Sequence, residues 1–181
     1  MTTKIKDNES KARLQGHLRI EVFDNAKDMN KISESECKNL ITDEGLDALL
    51  DIMLHGATQI TTWYCVISES DTSPAAGMTY AVPSFTETTA YDESTRPAFN
   101  EAASSSQSVT NSANKATFTM NATKTLYGAG LVGGGTDGNT KDDQAGGGTL
   151  FNYGEFTASQ PVISGNVVNL TITISAADDG V

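Results

Sequence analysis

The alternation of apolar and polar residues predicts that most of this chain forms β-strands. In residues 167–175 every second position is apolar, and the positions between them are Asn, Thr and Ser. A strand with this period of two buries one face and exposes the other. The same pattern, together with a high content of β-branched and aromatic residues, predicts six more strands. They cover residues 14–23, 32–39, 60–67, 115–121, 124–132 and 149–157.

Residues 43–55 are the one segment with the period of an α-helix. Thr42 occupies the N-cap position and is followed by the acids Asp43 and Glu44. Gly56 is the expected C-terminal end of the helix. One apolar stripe is formed by Leu46, Leu49, Leu50, Met53 and Leu54. We expect this stripe to lie on a sheet, so that Leu50→Ala would cost about 2–5 kcal/mol. Gly45 is unfavourable inside a helix by roughly 1 kcal/mol, which indicates close packing.

Short strands separated by turns, without alternating helices, are typical of antiparallel sandwiches and jelly rolls. We therefore predict a mainly β fold, an antiparallel, jelly-roll-like β-sandwich with one amphipathic α-helix and an extended N-terminal arm. Residues 13–181 would form this single domain, which includes the helix 43–55. Residues 1–12 are polar and mixed in charge, and they would form a flexible arm. Residues 133–148 contain seven glycines, which predicts a flexible surface loop.

Charge is distributed unevenly along the 181 residues. Eight of the 12 Lys and Arg residues lie in residues 1–42 with seven acids, whereas residues 43–181 carry four against 16 acids. The first part therefore nets +1 and the second −12, and an acidic body disfavours nucleic-acid binding. A partner with negative potential would instead meet the N-terminal segment. The predicted contact residues there are Lys4, Lys6, Lys11 and Arg13.

The remaining composition argues against a membrane span and against a disulfide framework. No apolar run approaches the ~20 residues that a membrane span needs. The two cysteines, Cys37 and Cys65, are expected to be free thiols of a chain made in a reducing cytoplasm.

No motif predicts catalysis or a tightly bound group. The G-x-G-x-x-G match at 128–133 is followed by polar loop instead of the helix that a dinucleotide site needs. The acids at 137–143 lack the spacing of a calcium loop, since Lys141 stands where a third ligand should. Zinc-type ligands never occur as close pairs among His17, His55, Cys37 and Cys65. Paired carboxylates for sugar hydrolysis stay open, because their separation is not a sequence property. We expect a non-enzymatic protein with no cofactor and no metal.

Several short motifs occur in order along residues 16–176. They are Asn39-Leu40-Ile41-Thr42, Gly45-Leu46, Trp63-Tyr64, Thr79-Tyr80, Glu87, Tyr91, Arg96-Pro97, Asn111-Ser112-Ala113, Phe118-Thr119 and Tyr127-Gly128-Ala129. Each motif alone is unspecific, but their order resembles a family of tailed-bacteriophage virion proteins with a jelly-roll-like β-sandwich. Gly165-Asn166 departs mildly from the Gly-Asp that usually opens the last strand of that family.

The resemblance implies a structural virion protein, made in the host cytoplasm and located on the capsid surface. Its role would be that of a capsid decoration or cement protein, which binds and stabilises the lattice of the major capsid protein or other virion subunits. We expect a homo-oligomer, either a dimer or a trimer, with no contact to nucleic acid or membrane. The alternative is a tail or collar component that recognises a host glycan through loops 70–79, 100–114 and 133–148.

Overall fold

The computed structural model describes residues 12–178, which form an antiparallel sheet that curls around a shared core. The strands are β1 (Ala12–Phe23), β2 (Lys31–Ile41), β3 (Trp63–Ser68), β4 (Ser108–Thr110), β5 (Ala116–Thr119), β6 (Lys124–Gly133), β7 (Thr149–Val162) and β8 (Val167–Asp178). Helix α1 (Asp43–Leu50) follows β2 and continues as one π-helical turn, Asp51–His55. The predicted mainly β class, with an antiparallel sandwich and one short helix, is confirmed.

The strands are hydrogen-bonded in the order β3-β6-β7-β2-β1-β8-β4, and β5 also pairs with β8. Strand β2 joins the two layers. It pairs with β1 over most of its length, and its backbone ladder with β7 consists of Leu40 opposite Tyr153 and Ile41 opposite Asn152. The β1–β8 layer and the β3–β6–β7 layer then contribute side chains to one core.

The faces predicted from alternation are confirmed for the strands of the first layer. In the central parts of β1, β5 and β8 the apolar residues of the inward face are buried, and most residues between them are more exposed. These buried residues are Leu18, Ile20, Val22, Ala116, Phe118, Val168, Leu170, Ile172 and Ile174.

Strand β6 departs from the predicted alternation because it is covered on both faces. All residues of β6 from Gly128 onward are buried. One face contributes to the main core, and the other contacts a second apolar cluster. This second cluster joins β3, β6 and β7 to the segment 78–85 through Val66, Met78, Tyr80, Phe85, Val132, Leu150 and Tyr153.

Strand boundaries differ from the predictions by a few residues. The strand predicted at 60–67 begins at Trp63, whereas β2 and β7 run on to Ile41 and Val162. The short strand β4 lies inside segment 100–114, which the sequence analysis treats as a loop. In residues 12–178, no helix has the length and apolar character needed to cross a membrane.

Helix α1 begins and ends where its capping signals lie. The Thr42 side chain accepts a hydrogen bond from the Gly45 N–H at 2.9 Å, and Gly56 adopts the left-handed conformation that ends the π-helical turn. The Thr42 hydroxyl also donates to the carbonyl of Leu150, so the N-terminus of the helix is fixed to β7. Gly45 is the buried residue of α1.

The prediction that the apolar stripe of α1 is buried is wrong. Leu46, Leu50, Met53 and Leu54 are 37%, 55%, 69% and 81% exposed. The helix approaches β7 through Gly45, and this contact turns Leu49 toward the protein while it leaves Leu50 at the surface. Five apolar residues identify an apolar helix surface, but Gly45 decides which part of it is covered.

The substitution Leu50→Ala should therefore cost less than about 1 kcal/mol, because little buried surface is lost. Chemical denaturation of the two proteins would measure this difference. A cost above about 2 kcal/mol would show that Leu50 is in the core after all.

Candidate interaction surfaces

The N-terminal cations predicted to contact a partner fall mostly outside the described residues. This holds for Lys4, Lys6 and Lys11. Arg13 lies near the start of β1 with an exposed side chain, and its backbone is opposite Ala177 of β8. The structure therefore places one of the four predicted residues, on a regular strand.

The exposed side of helix α1 carries two parallel stripes. Leu46, Leu50 and Leu54 recur every four residues and form the apolar stripe. Asp47 and Asp51, each one position further along, form an acidic stripe beside it. On its sheet side, Leu46 borders an open groove that Lys38 also lines.

A second groove continues the apolar surface beyond the helix. It has a volume of about 340 Å³ and is lined almost entirely by apolar side chains. Met53 and Ile60 lie at this groove together with Trp63 and Phe151, whose rings meet edge to face at 5.5 Å.

A third groove is polar and lies between the segment before β3 and the loop after β6. Its volume is about 530 Å³, and its lining consists mainly of Thr, Gln, Asn and Gly residues with one aromatic ring, that of Tyr64. The lining residues come from 58–64 and 134–139. Hydroxyl and amide groups beside an aromatic ring can hydrogen-bond and stack with a sugar.

A buried arginine organises the glycine-rich loop between β6 and β7. The Arg96 guanidinium donates three hydrogen bonds to the Glu87 carboxylate, at 3.0, 3.1 and 2.5 Å. It also donates to the hydroxyl of Tyr80 and to the carbonyls of Gly138 and Asp143, each at 3.0–3.1 Å. Arg96 and Glu87 are both almost fully buried. The loop predicted at 133–148 is thus present, but a cation far away in the sequence holds its backbone.

Two further contacts fix the same loop. The Lys141 ammonium donates to the carbonyl of Tyr91 at 2.7 Å and lies 3.8 Å from the centre of its ring. The Asp143 carboxylate accepts from the Tyr80 hydroxyl at 2.6 Å and from the N–H groups of Ala145 and Gly146. These donors lower the pKa of Asp143, with the Tyr80 bond as the main cause.

The lowered pKa of Asp143 predicts that the loop conformation held by its carboxylate is sensitive to acid. A carboxyl whose pKa is lower in the folded state stabilises that state fully above its usual value of 3.8, and the contribution is lost as the pH falls through the folded value. We expect hydrogen-exchange protection factors of the Ala145 and Gly146 amides to fall across this acidic range.

The matched control for this acid effect is Asp143→Asn, which keeps an acceptor oxygen but cannot titrate. Protection in this variant should be flat over the same pH range. Wild-type protection that stays constant while the fold remains intact would contradict a role for the Asp143 charge.

The two thiols and the acidic residues of the loop are the nucleophilic and metal-ligating side-chain types considered from the sequence. Cys37 and Cys65 are free, as predicted, and burial raises the pKa of Cys37 to about 12. A thiol with so high a pKa is a poor nucleophile. Within the described part of the chain, no three His, Cys, Asp or Glu side chains lie together as metal ligands would.

Tyr80, Glu87 and Arg96 belong to separate sequence motifs, and nothing in those motifs predicts that the three side chains meet. One signal was present: Arg96 is the single arginine of the acidic part of the chain. Its partners could not be chosen from sequence, because many acids were available.

No family model matches this sequence, and no curated protein matches it closely enough to count as a relative.

Proposed function

We propose that this chain is a structural protein of a tailed-bacteriophage particle, a decoration protein that binds the major capsid lattice and stabilises it. In this role it acts as a homo-oligomer on the capsid surface and performs no catalysis. The proposal starts from the ordered motifs along residues 16–176. It is supported by what the residues of those motifs do in the folded chain.

The observation that carries the proposal is that the motif residues are scaffold residues. Tyr80, Glu87 and Arg96 come from three motifs and form one hydrogen-bonded network. Phe118 of a fourth motif packs edge to face on the ring of Tyr91, with ring centres 5.1 Å apart. Residues of this kind define a fold, which is what a resemblance between structural proteins would preserve.

Two more motifs have the same character. Asn111 is completely buried; its side chain donates to the carbonyl of Leu170 at 3.1 Å and accepts from the N–H of Ile172 at 2.8 Å. The Asn39 side chain occupies the space that a side chain on Gly16 would need. Asn111 thus bonds to a strand backbone, and Asn39 fills a gap beside one.

The first test is the location and copy number of the chain in purified particles of the phage that encodes it. Quantitative mass spectrometry should find hundreds of copies per particle, in proportion to the major capsid protein. About a dozen copies would place the chain in the tail or collar, and its absence from particles would end the proposal.

Capsid stabilisation supplies a second test. A protein that binds only the assembled lattice stabilises it by mass action. Expanded capsids prepared without this chain should disrupt at a lower temperature, and added chain should restore the original value. Capsids that neither bind the chain nor change in stability would contradict the decoration role.

The N-terminal segment is the proposed capsid contact, and its deletion separates binding from folding. Removal of residues 1–11 leaves β1 intact from Ala12. The truncated chain should melt within a few degrees of the full chain but bind capsids more weakly. Equal capsid binding would show that the contact lies elsewhere.

The polar groove favours a second candidate, glycan recognition by a tail or collar component. Its hydroxyl and amide lining and the ring of Tyr64 suit a saccharide. A screen of host envelope glycans against the chain and a Tyr64→Ala variant would test this. Binding that depends on Tyr64 would support the second candidate, and no binding to any host glycan would remove it.

A further inference from the structure

We propose that the exposed face of helix α1 binds the same face of a second copy, so that the chain forms a two-fold dimer. This proposal deepens the proposed function, because it rests on the expected homo-oligomer and selects the dimer over the trimer. The interface is the apolar stripe of Leu46, Leu50 and Leu54, with Met53 beside it.

The size of the apolar surface is the first argument. The exposed fractions of these four residues add up to nearly two and a half fully exposed residues. This is on the order of 400–500 Å² of apolar surface, comparable to the largest patches on monomeric proteins, which are often functional. The apolar groove at Met53 and Ile60 extends the surface further.

The area also fits one copy of this chain as the partner. A standard interface buries roughly 800 Å² on each partner, with an apolar centre and a polar rim. The helix stripe supplies about half of this as the centre. The acids of the neighbouring stripe, Lys38 and Pro74 supply a rim around it.

The charges on the two sides of Leu46 are opposite in sign, which favours a second copy as the occupant. Lys38 lies on the sheet side of Leu46, and Asp47 lies on its other side. Consider a two-fold axis that lies between the two copies and is parallel to their helices. It places Leu50 of one copy opposite Leu50 of the other, and it brings the acids of one copy across from Lys38 of the other. The arrangement is isologous, as in most homodimers. Because the body nets −12, a second acidic surface without such cations would be repelled.

Measurement of the mass of the full chain over a micromolar-to-millimolar concentration series tests the proposal directly. Sedimentation equilibrium should show a reversible change from 19.1 kDa to twice that mass. Leu50→Asp should weaken this association at least roughly 30-fold, since it buries a charge at the centre of the interface. The variant should fold normally because Leu50 is exposed.

Ile163→Asp is the matched control for Leu50→Asp. Ile163 is 59% exposed and follows the last residue of β7, whereas the helix contacts the first residues of that strand through Leu150. The control adds the same negative charge to the chain, so any effect of net charge alone would appear in both variants. Association of Ile163→Asp should equal that of the wild type.

A charge exchange tests the orientation of the two copies. Lys38→Glu and Asp47→Lys should each weaken association, and the double variant should recover most of the loss. In addition, Leu50→Cys should form a disulfide-linked dimer on mild oxidation, whereas Ile163→Cys should not. The native thiols interfere little, because Cys65 is buried and the pKa of Cys37 is high.

Other occupants of the stripe give different results, and each overturns the proposal. A chain that stays monomeric at millimolar concentration, but dimerises once residues 1–11 are removed, would show that its own N-terminal segment covers the stripe. A monomer that needs Leu50 for capsid binding would show that the stripe faces the capsid. Because the mass measurement uses no capsids, a failed dimer and a failed decoration role are distinguishable.

Discussion

Replacing Arg96 with Met should destabilise the fold by about 3–5 kcal/mol, the usual result when one partner of a buried ion pair is removed. The substitution leaves the Glu87 carboxylate buried without its cation. It also removes the donor to the Tyr80 hydroxyl and to the carbonyls of Gly138 and Asp143. Urea denaturation of both proteins would measure the difference in unfolding free energy.

The same variant should release the glycine-rich loop. Two of the acceptors that Arg96 satisfies belong to residues 134–148, so the loop loses its main attachment to the segment 80–96. Lys141 then becomes accessible, and trypsin should cleave after it faster than in the wild type. Unchanged cleavage at Lys141 would show that the loop is held by its other contacts.

Arg19→Met is the matched control. The Arg19 guanidinium also bonds to a carboxylate, that of Glu34, at 2.7 Å, but both side chains are nearly half exposed. An exposed pair of this kind contributes about 0–1 kcal/mol. Equal losses from Arg96→Met and Arg19→Met would contradict the importance of burial.

A double variant distinguishes the effect of an unpaired buried charge from the effect of lost packing. When Glu87→Met is combined with Arg96→Met, no uncompensated charge remains inside the protein. Replacing both partners of a buried ion pair by apolar residues often leaves the free energy of unfolding almost unchanged. We expect the double variant to be more stable than Arg96→Met alone, and a further loss would show that the pair itself is essential.

The strand faces could be predicted from sequence because their signal is local. A period of two in residues 167–175 needs no knowledge of the rest of the chain, and all four predicted inward residues are buried. The exception is β6, where the prediction failed from Gly128 onward. Its outer face is covered by Tyr80 and Phe85, and no pattern within β6 indicates that the chain returns there.

The orientation of helix α1 could not be predicted for a related reason. Apolar residues occupy more than half of its circumference, so several faces could have been buried. The choice depends on Gly45 meeting the backbone of Phe151, which lies more than 100 residues later. The network of Arg96 has the same character, since its partners come from segments that only the fold brings together.

Gly45→Ala should destabilise the protein, although alanine is the better helix former. An alanine gains roughly 1 kcal/mol in helix propensity. Its Cβ would however lie 2.4 Å from the carbonyl oxygen and 2.8 Å from the Cα of Phe151. Both are backbone atoms of β7, so no change of side-chain rotamer can relieve the overlap.

The start of the helix cannot simply move away from β7 to make room. The N–H of Thr42 donates to the carbonyl of Phe151 at 3.1 Å, and the Glu44 carboxylate accepts from the N–H of Leu150 at 2.6 Å. A shift that accommodates the methyl group lengthens these bonds. Overpacking at such sites costs typically about 1–3 kcal/mol, which equals or exceeds the gain in propensity.

Gly77→Ala is the control that makes the result specific. Gly77 lies in the loop beside the helix N-terminus, and a Cβ there would have no atom within 4 Å. Its stability should therefore equal or slightly exceed that of the wild type. Gly45→Ala should unfold at a lower urea concentration than both. A Gly45→Ala protein as stable as Gly77→Ala would show that the helix does not rest on β7 at this distance.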